Sequence, residues 1–268
     1  MIFRVLGPLE VTVQGTVDTP TAAKVRWTLA LLLLRANHVV GRTSIITELW
    51  GENPPRSAVT TAQTYIYQLR KKYQDRLGAG ELVETRLAGY LLKADEAQID
   101  ARVFERLSDQ GHASLEAGHV ERAARQLHEA LALWRGPALA DVPAGPVLAP
   151  HLTHLEETRT WTLRLRILAD RRLGRHHDLI PELQFLAAAH PLDEWFHQQL
   201  MIALTETGRR ADALQVYERI RVTLGAELGV HPSPGLCRLQ HDVVTGDPWT
   251  PGPEADLDLV LPRSHAVA

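Results

Sequence analysis

Thr60, Thr61, Thr64, Gln68 and Lys71 share one side when residues 58–72, AVTTAQTYIYQLRKK, are wound as a helix at about 100° per residue. They are short hydroxyls, an amide and an ammonium, with no carboxylate among them. Such a face suits base edges and phosphate oxygens in a DNA major groove: its groups donate and accept hydrogen bonds, and none repels phosphate. Val59, Ala62, Ile66, Leu69 and Tyr73 fall on the other side and predict a face that packs on a small core. Arg70, Lys71 and Lys72 close the helix, and Arg70 lies near the packed face, where a partner within the protein competes with phosphate. An ordinary amphipathic surface helix shows the same division. The flanking elements have to decide between the two.

Residues 22–37 predict a strong helix with the apolar block LALLLL, and Val39-Val40 a brief β-branched strand. Gly41 or Thr43 is placed to cap a second helix ending at Trp50, with Gly51 as its stop and Pro54-Pro55 barring continuation. Ser57 then offers an N-cap to the polar-faced helix. Residues 82–93, LVETRLAGYLLK, read as a β-hairpin turning at Leu87-Ala88-Gly89. Residues 1–20, with turns at Gly7-Pro8 and Gly15, predict a small antiparallel sheet under the first helix. Helix, strand, helix, helix, hairpin is the order of a winged helix, whose wing reaches the DNA backbone or minor groove. Arg86 sits beside the wing tip.

Charge supports that order. Residues 1–93 carry 12 Lys+Arg against 7 Asp+Glu, a net of +5; residues 94–268 carry 17 against 25, a net of −8. The formal −3 of the whole chain therefore hides a basic front, which attracts phosphate, and an acidic back, which DNA repels. A length of 268 residues suits two domains. The single cysteine, Cys237, allows no intramolecular disulfide, reads as a small packing residue and fits a cytoplasmic protein. No apolar run is long enough for a membrane span, and the first residues lack the pattern of a signal peptide. No Walker A, GxGxxG, GxSxG or HExxH motif is present, and His151, His154, His176 and His177 lack the spacing of a metal set. The expectation is a non-enzyme with no cofactor and no metal.

From Asp100, placed to cap a helix over 101–117, the chain reads as helical. Three joints recur, at Gly118, Gly174 and Gly208, each following one amphipathic helix and preceding another. Gly174 and Gly208 stand 34 residues apart, the tetratricopeptide period. Ala213 and Tyr217 after the last joint suit packing between paired helices, and Trp134 reads as a core wedge. The fold class is mainly α with a small β component: an N-terminal winged helix-turn-helix over 1–95, then a tetratricopeptide-like α-solenoid over 98–248. Residues 249–268, rich in proline, read as a disordered tail. The solenoid's concave face predicts a partner-binding or ligand-binding surface; as a plain brace for the winged helix it needs neither.

The order FRVLGPLEV (3–11), KVRWTLALLLLRAN (24–37), ITELWGENPPRSAVTTAQTYIYQLRKK (46–72) and ETRLAGYLL (84–92) resembles the OmpR-type winged helix, and more closely that of the Streptomyces antibiotic regulatory protein family. The resemblance continues through FERL (104–107), ALALWRGPALADV (130–142), LGRHHDLIPEL (173–183), HPLDE (190–194) and residues 203–236, which look like that family's bacterial transcriptional activation domain. It implies a pathway-specific transcriptional activator, often of secondary-metabolite genes. Such a protein binds double-stranded DNA at direct repeats near the −35 element as a cooperative pair, and contacts RNA polymerase, including its sigma subunit. With location, the resemblance points to Arg42, Trp50, Lys72, Arg86 and Tyr90 as phosphate contacts beside the base-facing Thr60, Thr61, Thr64, Gln68 and Lys71. It assigns the loop with Glu52, Asn53 and Arg56 to the polymerase. Two departures stand out. The wing reads Leu87-Ala88-Gly89-Tyr90-Leu91-Leu92 where the family has Gly-Pro-Gly-Tyr-Arg-Leu, and Gln68 replaces a common arginine. The resemblance implies a cytoplasmic, nucleoid-associated regulator. A regulator sensing a small molecule through the helical part, or a scaffold no longer binding DNA, are the alternatives.

Overall fold

A computed structural model describes residues 1–73 and 82–246. The tail expected over 249–268 lies outside them. Three short strands open the chain: β1 (Ile2–Arg4), β2 (Glu10–Val13) and β3 (Thr16–Val17), antiparallel in that order. Gln14 and Gly15, at φ 50° and 83°, make the two-residue turn between β2 and β3. Positive φ at both positions matches the turn to the strands' right-handed twist. Helix α1 (Ala23–Leu34) follows, buried continuously from Thr28 to Leu34. Next come β4 (Val39–Gly41), α2 (Arg42–Trp50) and α3 (Ala58–Tyr73). The hairpin β5 (Val83–Arg86) and β6 (Gly89–Leu92) completes a second sheet in the order β4-β6-β5. This is a winged helix. The hairpin loop is two residues, Leu87-Ala88, because Arg86 pairs with Gly89; Gly89 belongs to the strand rather than to the turn.

After one 3₁₀ turn at Glu96–Gln98 the described chain is helical: α4 (Asp100–Glu116), α5 (Val120–Ala132), α6 (Leu148–Arg172), α7 (His176–Ala189), α8 (Glu194–Glu206), α9 (Arg210–Glu227) and α10 (Pro234–Thr245). The chain forms two compact units: residues 1–113 with 125–163, and 114–124 with 164 onward.

The first unit encloses the winged helix. Phe3, Leu6, Leu29, Ile45, Ile66, Leu69, Tyr73 and Phe104 share its core. Two carboxylates cross it. Asp100 accepts the Val5 and Leu6 backbone N–H groups at 2.8 and 3.1 Å, so it serves the opening strand rather than only capping its own helix. Burial pushes its carboxyl above the ordinary aspartate range, and those N–H donors pull it back. Glu48, 1% exposed, accepts from Trp27 Nε1 and the backbone N–H groups of Gly145, Val147 and Leu148, at 2.7–2.9 Å. A Cβ on Gly145 would meet the Glu48 carbonyl oxygen at 2.5 Å, so only glycine allows that approach. Trp134 packs edge-on against Phe104, ring centroids 5.4 Å apart, as a wedge should.

The second unit repeats one joint. Gly118, Gly174 and Gly208 have φ of 77°, 73° and 79°. At each, the glycine N–H reaches back three residues and the following N–H five: Gly118 to Leu115 and His119 to Ser114, Gly174 to Arg171 and Arg175 to Asp170, Gly208 to Thr205 and Arg209 to Leu204. This is the Schellman ending, which satisfies the last carbonyls of a helix and needs a left-handed residue. Ala213 is fully buried in α9, as its size suits. Helices α7, α8 and α9 line a groove of about 520 Å³, walled by Leu200, Leu204 and Val216 with His197 among its polar groups.

Replacing Glu48 by alanine leaves four buried donors without an acceptor. Glu48→Ala is expected to lower unfolding stability by about 3–5 kcal/mol, read as a lower urea midpoint. An unchanged midpoint would show that the carboxylate does not hold the unit together.

Candidate nucleic-acid interface

Helix α3 buries Ala58, Ala62, Ile66, Leu69 and Tyr73. Val59, expected on that face, is 50% exposed. At 100° per residue it lies about 60° from the centre of the buried stripe, and Ala58 fills the place instead. The helix is fixed at its far end and along one edge. Tyr73 Oη donates to the Asp18 carbonyl at 2.8 Å, and Arg70 donates to the Val83 carbonyl at 2.8 Å and to Thr85 Oγ1 at 2.7 Å, tying α3 to β5. Arg70 thus serves the wing. At the near end the Ser57 carbonyl accepts the Thr61 N–H at 2.8 Å, as an N-cap residue's does.

Of the residues expected to meet bases, Thr60, Thr64, Gln68 and Lys71 are exposed and Thr61 is half-buried. Thr64 Oγ1 donates to the Thr60 carbonyl at 3.0 Å, which spends its proton and leaves its lone pairs outward. Thr61 Oγ1 lies 3.4 Å from Ser57 Oγ. The same outward surface carries three residues that the polar pattern passed over: Val59, Gln63 and Tyr67. Their signal was positional, since each lies off the buried stripe.

The residues expected at phosphate divide. Arg42 is exposed at the start of α2, its backbone N–H bonded to the Ala88 carbonyl at the wing tip. Arg86 stands at the same tip but pairs with Glu84, whose carboxyl Lys93 and then Arg86 hold below the usual range. Lys72 is half-buried and pairs with Asp18, because the helix end turns it toward the loop after β3. Tyr90 is corrected: it is 5% exposed, since its side of β6 faces the core. Trp50 is partly buried and stacks on Tyr65 with centroids 6.4 Å apart and a 20° interplanar angle, so its packing role dominates. Leu87 projects fully exposed from the wing. A side chain at Gly89 would collide with the Val40 carbonyl, which fixes glycine where β6 crosses β4. Glu52, Asn53 and Arg56 are all exposed on the α2–α3 loop. No helix among the described residues is long and apolar enough to cross a membrane.

The family model described as Bacterial transcriptional activator domain matches residues 99–244, and that described as Transcriptional regulatory protein, C terminal, matches residues 19–92. Regulatory protein DnrI of Streptomyces peucetius is 43% identical over 254 residues, 92% of this chain and 93% of DnrI. Transcriptional regulator RedD of Streptomyces coelicolor is 35% identical over 256 residues, 94% of this chain and 73% of RedD. Regulatory protein AfsR of Streptomyces griseus is 36% identical over 245 residues, but the chain spans only 24% of it. Among solved structures, Mycobacterium tuberculosis EmbR in complex with low affinity phosphopeptide superposes with a TM-score of 0.87 at 32% identity, over 93% of this chain and 66% of that one. The winged helix and the helical domain are common to both structures.

The exposed cations and the internally paired one should behave differently on DNA. Arg42→Ala is expected to weaken every sequence alike and to reduce the log–log salt slope by about 1. Lys72→Ala should leave the slope unchanged. Anisotropy titrations from low to physiological salt check this, and a slope change for Lys72→Ala equal to that for Arg42→Ala would reverse the assignment.

Proposed function

Because the chain belongs to the Streptomyces antibiotic regulatory protein family, we propose that this transcriptional regulator is a pathway-specific activator that binds direct DNA repeats near a −35 element and recruits RNA polymerase. One observation carries the reading: the exposed face of α3 is free of acid, rich in hydrogen-bonding groups and framed by Arg42 and the wing. A duplex is negatively charged along its whole length, so an acid-free surface enters the groove without electrostatic repulsion. Thr60, Thr64, Gln68 and Lys71 face base edges, Thr61 their margin, and Arg42 and Arg86 the backbone. Arg86 exchanges Glu84 for a phosphate oxygen when it does so. The exposed loop with Glu52, Asn53 and Arg56 meets the polymerase and its sigma subunit. Such a regulator works in the cytoplasm on the nucleoid, and its target genes belong to a secondary-metabolite pathway.

Family resemblance supports tandem binding, wing toward neighbour, so the operator in this reading is a direct repeat rather than a palindrome. Two copies then bind as a cooperative pair with repeat centres about 10–11 base pairs apart, on one face of the duplex.

Gel shifts against duplexes from the chain's own upstream regions test the reading. Inserting about five base pairs, half a helical turn, between the repeats should abolish cooperativity, and a full turn should restore part of it. Footprints showing an inverted repeat would overturn the tandem arrangement, and a chain that retards no duplex would favour a scaffold role. Base readout has its own check. Gln68→Ala should relax preference at particular positions at a cost of about 1–3 kcal/mol, whereas a uniform loss across sequences would take Gln68 off the bases.

A further inference from the structure

We infer that Tyr67 reads the 5-methyl group of thymine within the operator. The inference rests on the reading that α3 enters the major groove. Tyr67 is 61% exposed, and its ring and hydroxyl have no partner among the described residues. Measured around the helix from the centre of the buried stripe, Thr60, Thr64 and Lys71 lie nearly opposite it, and Tyr67 lies about 40° from that outward line. Gln68 and Thr61 are further from it on the other flank, at about 60° and 80°. Tyr67 is therefore more centrally placed than two of the polar residues assigned to bases.

Side matters as well. Val59, Gln63 and Tyr67 follow one another at intervals of four and form one exposed ridge. Arg70, three residues after Tyr67, bonds to β5, so this ridge lies toward the wing. Tyr65, stacked on Trp50, marks the opposite edge, toward α2. The outward surface of α3 thus has a polar ridge of Thr60, Thr64 and Gln68 and, beside it, a ridge with an apolar group at each end.

A large ring left in water gains by covering apolar surface. The major groove offers one apolar group on a base edge, the thymine methyl, and aromatic or aliphatic side chains pack against it. Cytosine presents an amino donor in that region and no methyl, so a ring at this position distinguishes T·A from C·G without a hydrogen bond. The hydroxyl at the ring's end is left to water or to the sugar-phosphate rim.

The experiment uses the full chain and an operator enriched by it from random duplexes. Each thymine of one repeat is replaced in turn by deoxyuridine, which removes the methyl and nothing else. One or two positions are expected to lose about fourfold in affinity, the value of one buried methyl group. Tyr67→Phe should keep that penalty. Tyr67→Ala should erase it, binding thymine and deoxyuridine duplexes alike and relaxing selection at those positions. Equal binding of both duplexes by the unaltered chain would overturn the inference alone, as would a penalty that survives Tyr67→Ala. A Tyr67→Phe variant that binds thymine and deoxyuridine duplexes alike would assign the discrimination to the hydroxyl rather than to the ring, and would overturn it too. Enrichment of no sequence would overturn the operator-binding reading, and this inference with it.

Discussion

The carboxylate of Glu48 sets the geometry on which the first unit depends. A charge buried this completely is tolerated only when its lone pairs are filled. Here four N–H groups fill them, three from the segment that begins α6 and one from Trp27 on α1. Those three backbone donors include N–H groups that a helix start leaves without partners, and a negative charge there also opposes the helix dipole's positive end. One side chain of α2 thereby fixes α1, α2 and the start of α6 together. Since α2 packs beside α3, the pitch of the exposed polar face is set in part by residues about a hundred positions later in the chain.

The same economy governs the cations. Much of the basic excess of residues 1–93 is spent inside the protein. Arg70 holds the wing to α3, Lys72 holds the end of α3 to the loop after β3, Arg26 pairs with Asp141, and Arg4 with Glu10. Lys24 reaches the Leu49 carbonyl and lies over the Trp27 ring, and burial lowers its pKa. Arg42 and Lys71 stay exposed, and their side chains have no partner among the described residues. Net charge therefore overstates the phosphate-binding capacity of the surface. The field of the basic front attracts DNA at a distance, while few groups are available to touch it.

The altered wing fits this picture. Leu91, where the family has arginine, lies in the central strand between Val39 and Glu84. Glu84 takes its cations from Arg86 and Lys93 instead. The wing keeps its shape through Gly89 and its fixed register, and presents Leu87 at its tip where the family has glycine.

Local signals in the sequence were enough to give the order of elements. The α3 stripe, the Gly51 stop and the three glycine joints each follow from turn chemistry, helical periodicity or capping within a few residues, so spacing alone reveals them. The acid-free face of α3 was legible for the same reason, although its edges were not: Val59 and Tyr67 took their exposure from which side of the helix the core covers. What only the tertiary structure decided were the partners of charges. Lys72 and Arg86 look alike in sequence, yet one faces Asp18 and the other Glu84, and Tyr90 looks available until β6 turns it inward. Asp100 reads as a helix cap, and only the folded chain brings Val5 and Leu6 to it. A charge takes whichever counter-charge or donor the fold places within about 3 Å, and that distance is set by packing across the whole unit, which no local pattern encodes.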